Sequence, residues 1–427
     1  MSDSPDGSER QPRLVPSLTG RVISYGGLVE RILHQFHEEH GDDIRSMPAE
    51  DETERRTLVK EVGEYIFAVE SVVLSRAEQA EILQRVYSEL FGFGVLDALL
   101  QDSRLTTIAI DGADKIAVRE GPGQDLTARE PIFDDVPHLR RTLSKILQAA
   151  GTDLNDDTPV IEIGLTVNNR SVSINVAAPP FAPEWSADIR LHPVQRPTLD
   201  DLVHSEVLTA QAATLLRAIV RSEQGLVVVG NTEAGKTTLM SALMRERASL
   251  ERVVTVERSG ELHMPVDIQR LVVRWPMGDT PGITFGEQIQ AALDATPALL
   301  VLDELRSDDP ATIAPLLSQE TPPRQWWVFR GTTDMVRTRT ALTMLARMSD
   351  PSQSEAQVMA LTQRLPFLVM LKRRRGGLEL REIGEWQFLE GRDYADYVPL
   401  LEVDFEGVVL TGKRPAHALD LPEDFWG

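Results

Sequence analysis

The residues best placed to do chemistry lie in one run, LVVVGNTEAGKTTLM, at positions 226–240. A short β-branched apolar stretch ends at Gly230. Gly230, Gly235, Lys236 and Thr237 then fit the pattern G-x-x-x-x-G-K-T, and a helical pattern follows at once. That order of strand, glycine loop and helix is what a phosphate cradle needs, because the loop N–H groups and the helix N-terminus converge on one concave anion site. Lys236 then reaches the outer phosphates of ATP, the Thr237 hydroxyl ligates Mg²⁺, and Thr238 continues the same binding turn. Lysine is otherwise scarce, occurring at Lys60, Lys115, Lys145, Lys372 and Lys413 beside many arginines. A glycine turn without function is the plainer alternative, and the strand–loop–helix setting disfavours it.

Two further runs deliver acids from apolar strands. In LLVLDELR, Leu299–Arg306, the adjacent carboxylates of Asp303 and Glu304 suit a Walker B strand. Either acid is a candidate to hold Mg²⁺, directly or through water, or to orient an attacking water. In VVTVERSGEL, Val253–Leu262, a second β-branched strand ends in Glu257, at the strand end where α/β sheets place ligands. Arg170 and Arg190 precede these runs and are candidates to cap a phosphate across a domain or subunit boundary. The basic run Lys372–Arg375 reads as a solvated hairpin turn.

These elements need a scaffold, and the chain is long enough for two domains: its 427 residues exceed the size at which single cores stop growing. With 42% hydrophobic and 26% charged residues it has the composition of an ordinary globular protein. A net charge of −22 argues against non-specific nucleic-acid binding, which needs dense Lys/Arg neutralisation. The absence of cysteine excludes disulfides and thiolate metal sites and fits a reducing compartment. No run approaches ~18 consecutive apolar residues and no signal-peptide core is seen, so the expected location is cytoplasmic, with membrane attachment only through partners.

Four regions are expected. Residues 1–17 read as a disordered tail and 18–94 as a helical region, with apolar spacing over 25–47, 53–74 and 78–90. Short strands and turns make 95–197 a mixed α/β domain. From 198 to the end, strands and helices alternate, as in a mainly parallel sheet covered on both faces.

The order of features resembles the type II/IV secretion-system ATPase family, in particular the branch that powers tight-adherence (Tad/Flp) pili. The resemblance runs from YSELFGFGVLDALL and SRLTTIAIDGADKIAVRE through RSVSINVAAPP, ADIRLHP and the glycine loop. It continues in VVTVERSGEL at the aspartate box, VLDELR at Walker B, and the tail TGKRPAH, covering roughly residues 80–427. It implies an α/β fold: a RecA-like P-loop NTPase C-terminal domain with a smaller mixed α/β N-terminal domain. It further implies a homo-hexameric ring using ATP and Mg²⁺ to drive pilin assembly or export through inner-membrane platform proteins. By the same resemblance Glu304 is the Walker B glutamate, Glu257 the glutamate that activates water, and Arg170 and Arg190 the N-domain arginines.

Four departures cluster around the nucleotide position. Glu233 stands where the family has glycine, Arg258 where it has aspartate, Asp334 where it has histidine, and SQETPPRQ replaces an Asn-Thr-Gly-His segment. They leave a second function open: a nucleotide-binding but hydrolytically weak structural or regulatory subunit, working beside an active paralogue.

Overall fold

The computed structural model describes residues 13–18, 22–41, 52–121, 124–193, 197–247, 252–262, 268–307, 310–332, 334–374, 377–388, 394–404 and 407–426. Residues 1–12 of the expected tail, and Arg375 of the basic run, lie outside them. The chain forms two compact units. One comprises Met1–Asp102, Asp111–Ile116 and Glu130–Ile146, the other Ser103–Ile110, Ala117–Arg129 and Leu147–Gly427.

In the first unit, helices Tyr25–His40, Glu52–Val69 and Arg76–Phe91 pack through apolar stripes at helical spacing. Leu28, Ile32 and Phe36 meet Val59, Val62 and Ile66, with Ile82 and Val86 completing the core. Ser24 caps the first helix by accepting from the Gly27 N–H, and Ser75 and Glu78 form a reciprocal capping box on the third. The first helix runs to His40 and is capped at Gly41 with a positive φ of 75°, and residues 42–47 of its expected span lie outside the described residues. The second ends at Val69, before the β-branched Val72–Val73. Strand β1 (Leu14–Pro16), inside the stretch expected to lack structure, pairs antiparallel with β2 (Val22–Ser24) and buries Val15. A buried imidazole, His138, lies 3.2 Å from Glu89 and 3.2 Å from Asp134. Burial alone would lower its pKa, but the two carboxylates prevail and hold it at about 9.

The second unit is built on two sheets. In the smaller, β3 (Leu105–Asp111), β4 (Lys115–Glu120), β5 (Thr127–Arg129), β6 (Val160–Val167), β7 (Arg170–Ala177) and β8 (Ser186–Leu191) lie in the order β5-β4-β3-β8-β7-β6. The larger contains β9 (Leu226–Gly230), β10 (Val253–Glu257), β11 (Gln269–Val272), β12 (Leu299–Leu305), β13 (Arg324–Arg330), β14 (Phe367–Arg374), β15 (Gly377–Phe388), β16 (Ala395–Asp404) and β17 (Gly407–Leu410). Its order is β11-β10-β12-β13-β9-β14-β15-β16-β17, with every pairing parallel up to β14 and antiparallel beyond it.

The five apolar runs read from the sequence are β9, β10, β12, β13 and β14, all in the parallel part. They are continuous apolar runs because both faces are covered. Leu226 and Val228 pack with Leu299, Val301 and Trp326 on one face; Val227 and Val229 pack with Leu300, Leu302 and Trp327 on the other. Helices Ala210–Arg221 and Lys236–Glu246 cover the first face, and Phe285–Asp294, Pro310–Ser318, Met335–Ser349 and Ser354–Arg364 the second.

Candidate nucleotide site

Strand β9 ends at Gly230, and the loop turns through Asn231–Gly235 before the helix starts at Lys236. Gly235 has φ 83°, a left-handed conformation that costs glycine little, and it caps the helix. Lys236 is buried. Its Nζ donates to the Asn231 carbonyl at 3.0 Å and pairs with Glu304 Oε2 at 2.8 Å. Thr237 donates its hydroxyl to Asp303 Oδ1 at 3.3 Å. Strand β12, one strand removed from β9, carries both acids, so the sheet joins glycine loop and acidic strand end without any local sequence link.

A cavity of about 160 Å³ opens over this point, lined by Gly235, Lys236, Thr237, Thr238, Asp303, Glu304 and Arg190 among others. Gly230 stays in the strand beneath it. Burial pushes the Asp303 pKa well up, and the nearby carboxylates of Glu261, Glu257 and Glu304 push the same way, with Lys236 only partly offsetting them. A helix N-terminus with a buried lysine, and a threonine hydroxyl on a carboxylate, fit a phosphate and a divalent ion, since Mg²⁺ takes one or two protein oxygens plus phosphate oxygens.

Two candidates stand elsewhere. Glu257 is fully buried and lines no part of the cavity. Its carboxylate accepts Arg270 Nε and Nη2, each at 2.9 Å, the Leu262 N–H at 2.9 Å and the Thr255 hydroxyl at 2.8 Å. Arg170 is also buried, donating to the carbonyls of His192 at 2.8 Å, Leu105 at 2.5 Å and Leu191 at 3.2 Å. It braces β8, the strand that presents Arg190. Among the departures, Asp334 is the N-cap of helix Met335–Ser349, accepting the Arg337 N–H at 3.0 Å. Arg258 lines the cavity, with its Nε on the Glu304 carbonyl at 2.9 Å.

Residues missed in the sequence also line the cavity, among them Glu261, His192, Arg119 and Thr107. Glu261 accepts from Ser259 Oγ at 3.0 Å and lies 3.7 Å from His192 Nε2. Burial opposes its charge, but His192, the Ser173 hydroxyl and Arg190 outweigh burial and lower its pKa. The signal for Glu261 was present as the second acid of VVTVERSGEL. For Arg119 it was a charged residue in the apolar strand IAVRE.

A glycine loop that feeds a helix from the middle of a parallel sheet, with an acid-ended strand two places away, defines the RecA-like P-loop class; here a smaller mixed α/β sheet precedes it. Residues 153–321 match the family model of the type II/IV secretion system protein. The match is a similarity over this segment, which spans less than half of the chain. A Mycobacterium tuberculosis protein named for conjugal transfer is 28% identical over 242 residues, 55% of this chain and 68% of its own length. The type IV secretion system protein VirB11 of Brucella suis is 24% identical over 255 residues, 53% of this chain and 69% of its own. The solved structure of the Legionella pneumophila ATPase DotB superposes with a TM-score of 0.47 at 15% identity, covering 69% of this chain and 79% of that one.

Proposed function

We propose that this chain is an ATP-binding secretion or pilus-assembly ATPase of the tight-adherence branch, coupling nucleotide binding and hydrolysis to pilin assembly or export. The observation that carries the reading is the buried Lys236 at a helix N-terminus beside the Thr237–Asp303 pair. Lys236 and the loop N–H groups would hold phosphate; Thr237 and Asp303, with Glu304 through water, would hold Mg²⁺. The ion neutralises phosphate charge when bound. Lys236 would exchange Glu304 for a phosphate of the nucleotide, which would leave the Glu304 carboxylate free to orient water. Glu261, facing the same cavity, is the second acid for that task, and Arg190 is the arginine positioned to meet a phosphate. Assembly as a homo-hexamer at inner-membrane platform proteins belongs to this reading. No helix among the described residues is long and apolar enough to cross a membrane.

A second reading, a hydrolytically weak nucleotide-binding subunit beside an active paralogue, is favoured by one observation: Glu257 is saturated by Arg270, Thr255 and Leu262. Calorimetry with MgATP and a steady-state phosphate-release assay separate the two. Lys236→Ala is expected to weaken binding by roughly a hundredfold, the loss of a charge-assisted contact of ~2–3 kcal/mol. Equal affinity in wild type and variant removes the loop from the account. Tight binding with no lysine-dependent turnover selects the second reading.

A further inference from the structure

The glycine loop carries its own anion. Glu233, at φ 61° where an L side chain is strained, points its carboxylate at residues of the smaller sheet and of β14. Thr107 on β3 donates to Glu233 Oε1 at 2.9 Å, and Arg119 on β4 pairs with Oε2. Arg373 on β14 lies 3.3 Å from the same oxygen. The cluster is no surface ion pair: the side chains of Arg119 and Glu233 are 9% and 21% exposed. Glu233, Arg119 and Thr107 also line the cavity that Lys236 enters. Two guanidinium groups and a hydroxyl around one carboxylate form the kind of site that takes a phosphate oxygen.

On the reading that the loop binds nucleotide, we propose that Glu233 sets its selectivity, favouring a nucleoside diphosphate over the triphosphate. The reason is the charge count of the cavity. Lys236, once released by Glu304, and the loop N–H groups serve a diphosphate, with Arg190 also on the cavity wall. A third phosphate adds negative charge, and Arg119 and Arg373, two cations of this cluster that could balance it, are already held by Glu233. The triphosphate must displace that carboxylate or lie beside it, in a partly enclosed site where like charges are poorly screened.

Calorimetric titration with MgADP and with the magnesium complex of the non-hydrolysable β,γ-imido analogue of ATP tests this on the full chain. Wild type is expected to bind MgADP about fivefold tighter or more. Glu233→Gln, which keeps the backbone and removes the charge, should shift the ratio about tenfold toward the triphosphate analogue, with MgADP affinity within about twofold. Glu233→Gly should shift it the same way. Arg119→Met leaves the carboxylate without its buried partner and should move the ratio toward MgADP, which supplies an independent readout should the Glu233 variants fold poorly. Tight binding with one unchanged ratio in wild type, Glu233→Gln and Arg119→Met overturns the selectivity role alone. Failure of wild type to bind either nucleotide overturns the nucleotide reading, and this inference with it.

Discussion

Removing Arg270 should destabilise the second unit far more than removing a surface arginine, because it strands a carboxylate that no water reaches. Glu257 is 0% exposed and holds four hydrogen bonds, two of them from Arg270. In Arg270→Ala the Leu262 N–H and the Thr255 hydroxyl remain, so half of the shell survives. Breaking a buried pair by deleting one partner costs ~3–5 kcal/mol. The Arg270 side chain is 39% exposed, which moderates the Coulomb part and places the expected loss near 3 kcal/mol. At ~2–4 °C per kcal/mol for a unit of this size, the apparent Tm at fixed scan rate should fall by roughly 6–12 °C. Glu257→Gln keeps an acceptor in place but gives up the charge-assisted bonds, and ~1–2 kcal/mol should be lost. Because the two side chains share a bidentate contact, the double variant Glu257→Gln, Arg270→Ala should be less destabilised than the sum of the singles, by ~1 kcal/mol or more. Differential scanning calorimetry with phosphate release measured in parallel reads both sides. A Glu257→Gln protein that melts like wild type yet has lost all turnover would refute the structural assignment and restore Glu257 as the group that activates water.

Two other perturbations test the packing that positions the site. A Cβ on Gly164 would lie 1.5 Å from the Ser259 carbonyl oxygen, backbone against backbone, so Gly164→Ala should displace the segment carrying Glu261 and cost ~3 kcal/mol or more in thermal unfolding; an unchanged melt would mean that β6 and this segment do not meet. In the first unit the folded-state pKa of His138, about 9, lies above its ordinary 6.5, so its contribution is complete below ~6.5 and is lost as pH rises through ~9. With Asp134 itself largely exposed, that contribution should be on the order of 2 kcal/mol, and His138→Gln should flatten the stability profile between pH 6.5 and 9; a wild-type profile already flat there would contradict the buried imidazolium.

The glycine loop and the parallel strands were legible for the same physical reason: each is specified by neighbours in sequence. A strand buried on both faces must be apolar throughout, and a phosphate loop must place its glycines, lysine and threonine within eight positions, so both survive as contiguous text. Partnerships between charges do not. Glu257 and Glu261 stand four residues apart and meet opposite fates. Glu257 shares the face of Thr255, and Thr255 is registered opposite Arg270 on β11, so the strand delivers its carboxylate to that arginine and away from the cavity. Past the turn at Gly260, with its φ of 68°, Glu261 emerges on the cavity side beside His192, the residue that follows β8. Reading one acid as chemical and passing over the other required the register of β11 and the approach of the smaller sheet, neither of which any local pattern encodes. Glu233 obeys the same logic in reverse. From sequence its charge looked like a defect in the loop, because the cations that neutralise it, Arg119 and Arg373, arrive from strands 114 positions before it and 140 after. Once those partners are in place the loop holds a compensated carboxylate, and the departure reads as a built feature of the site.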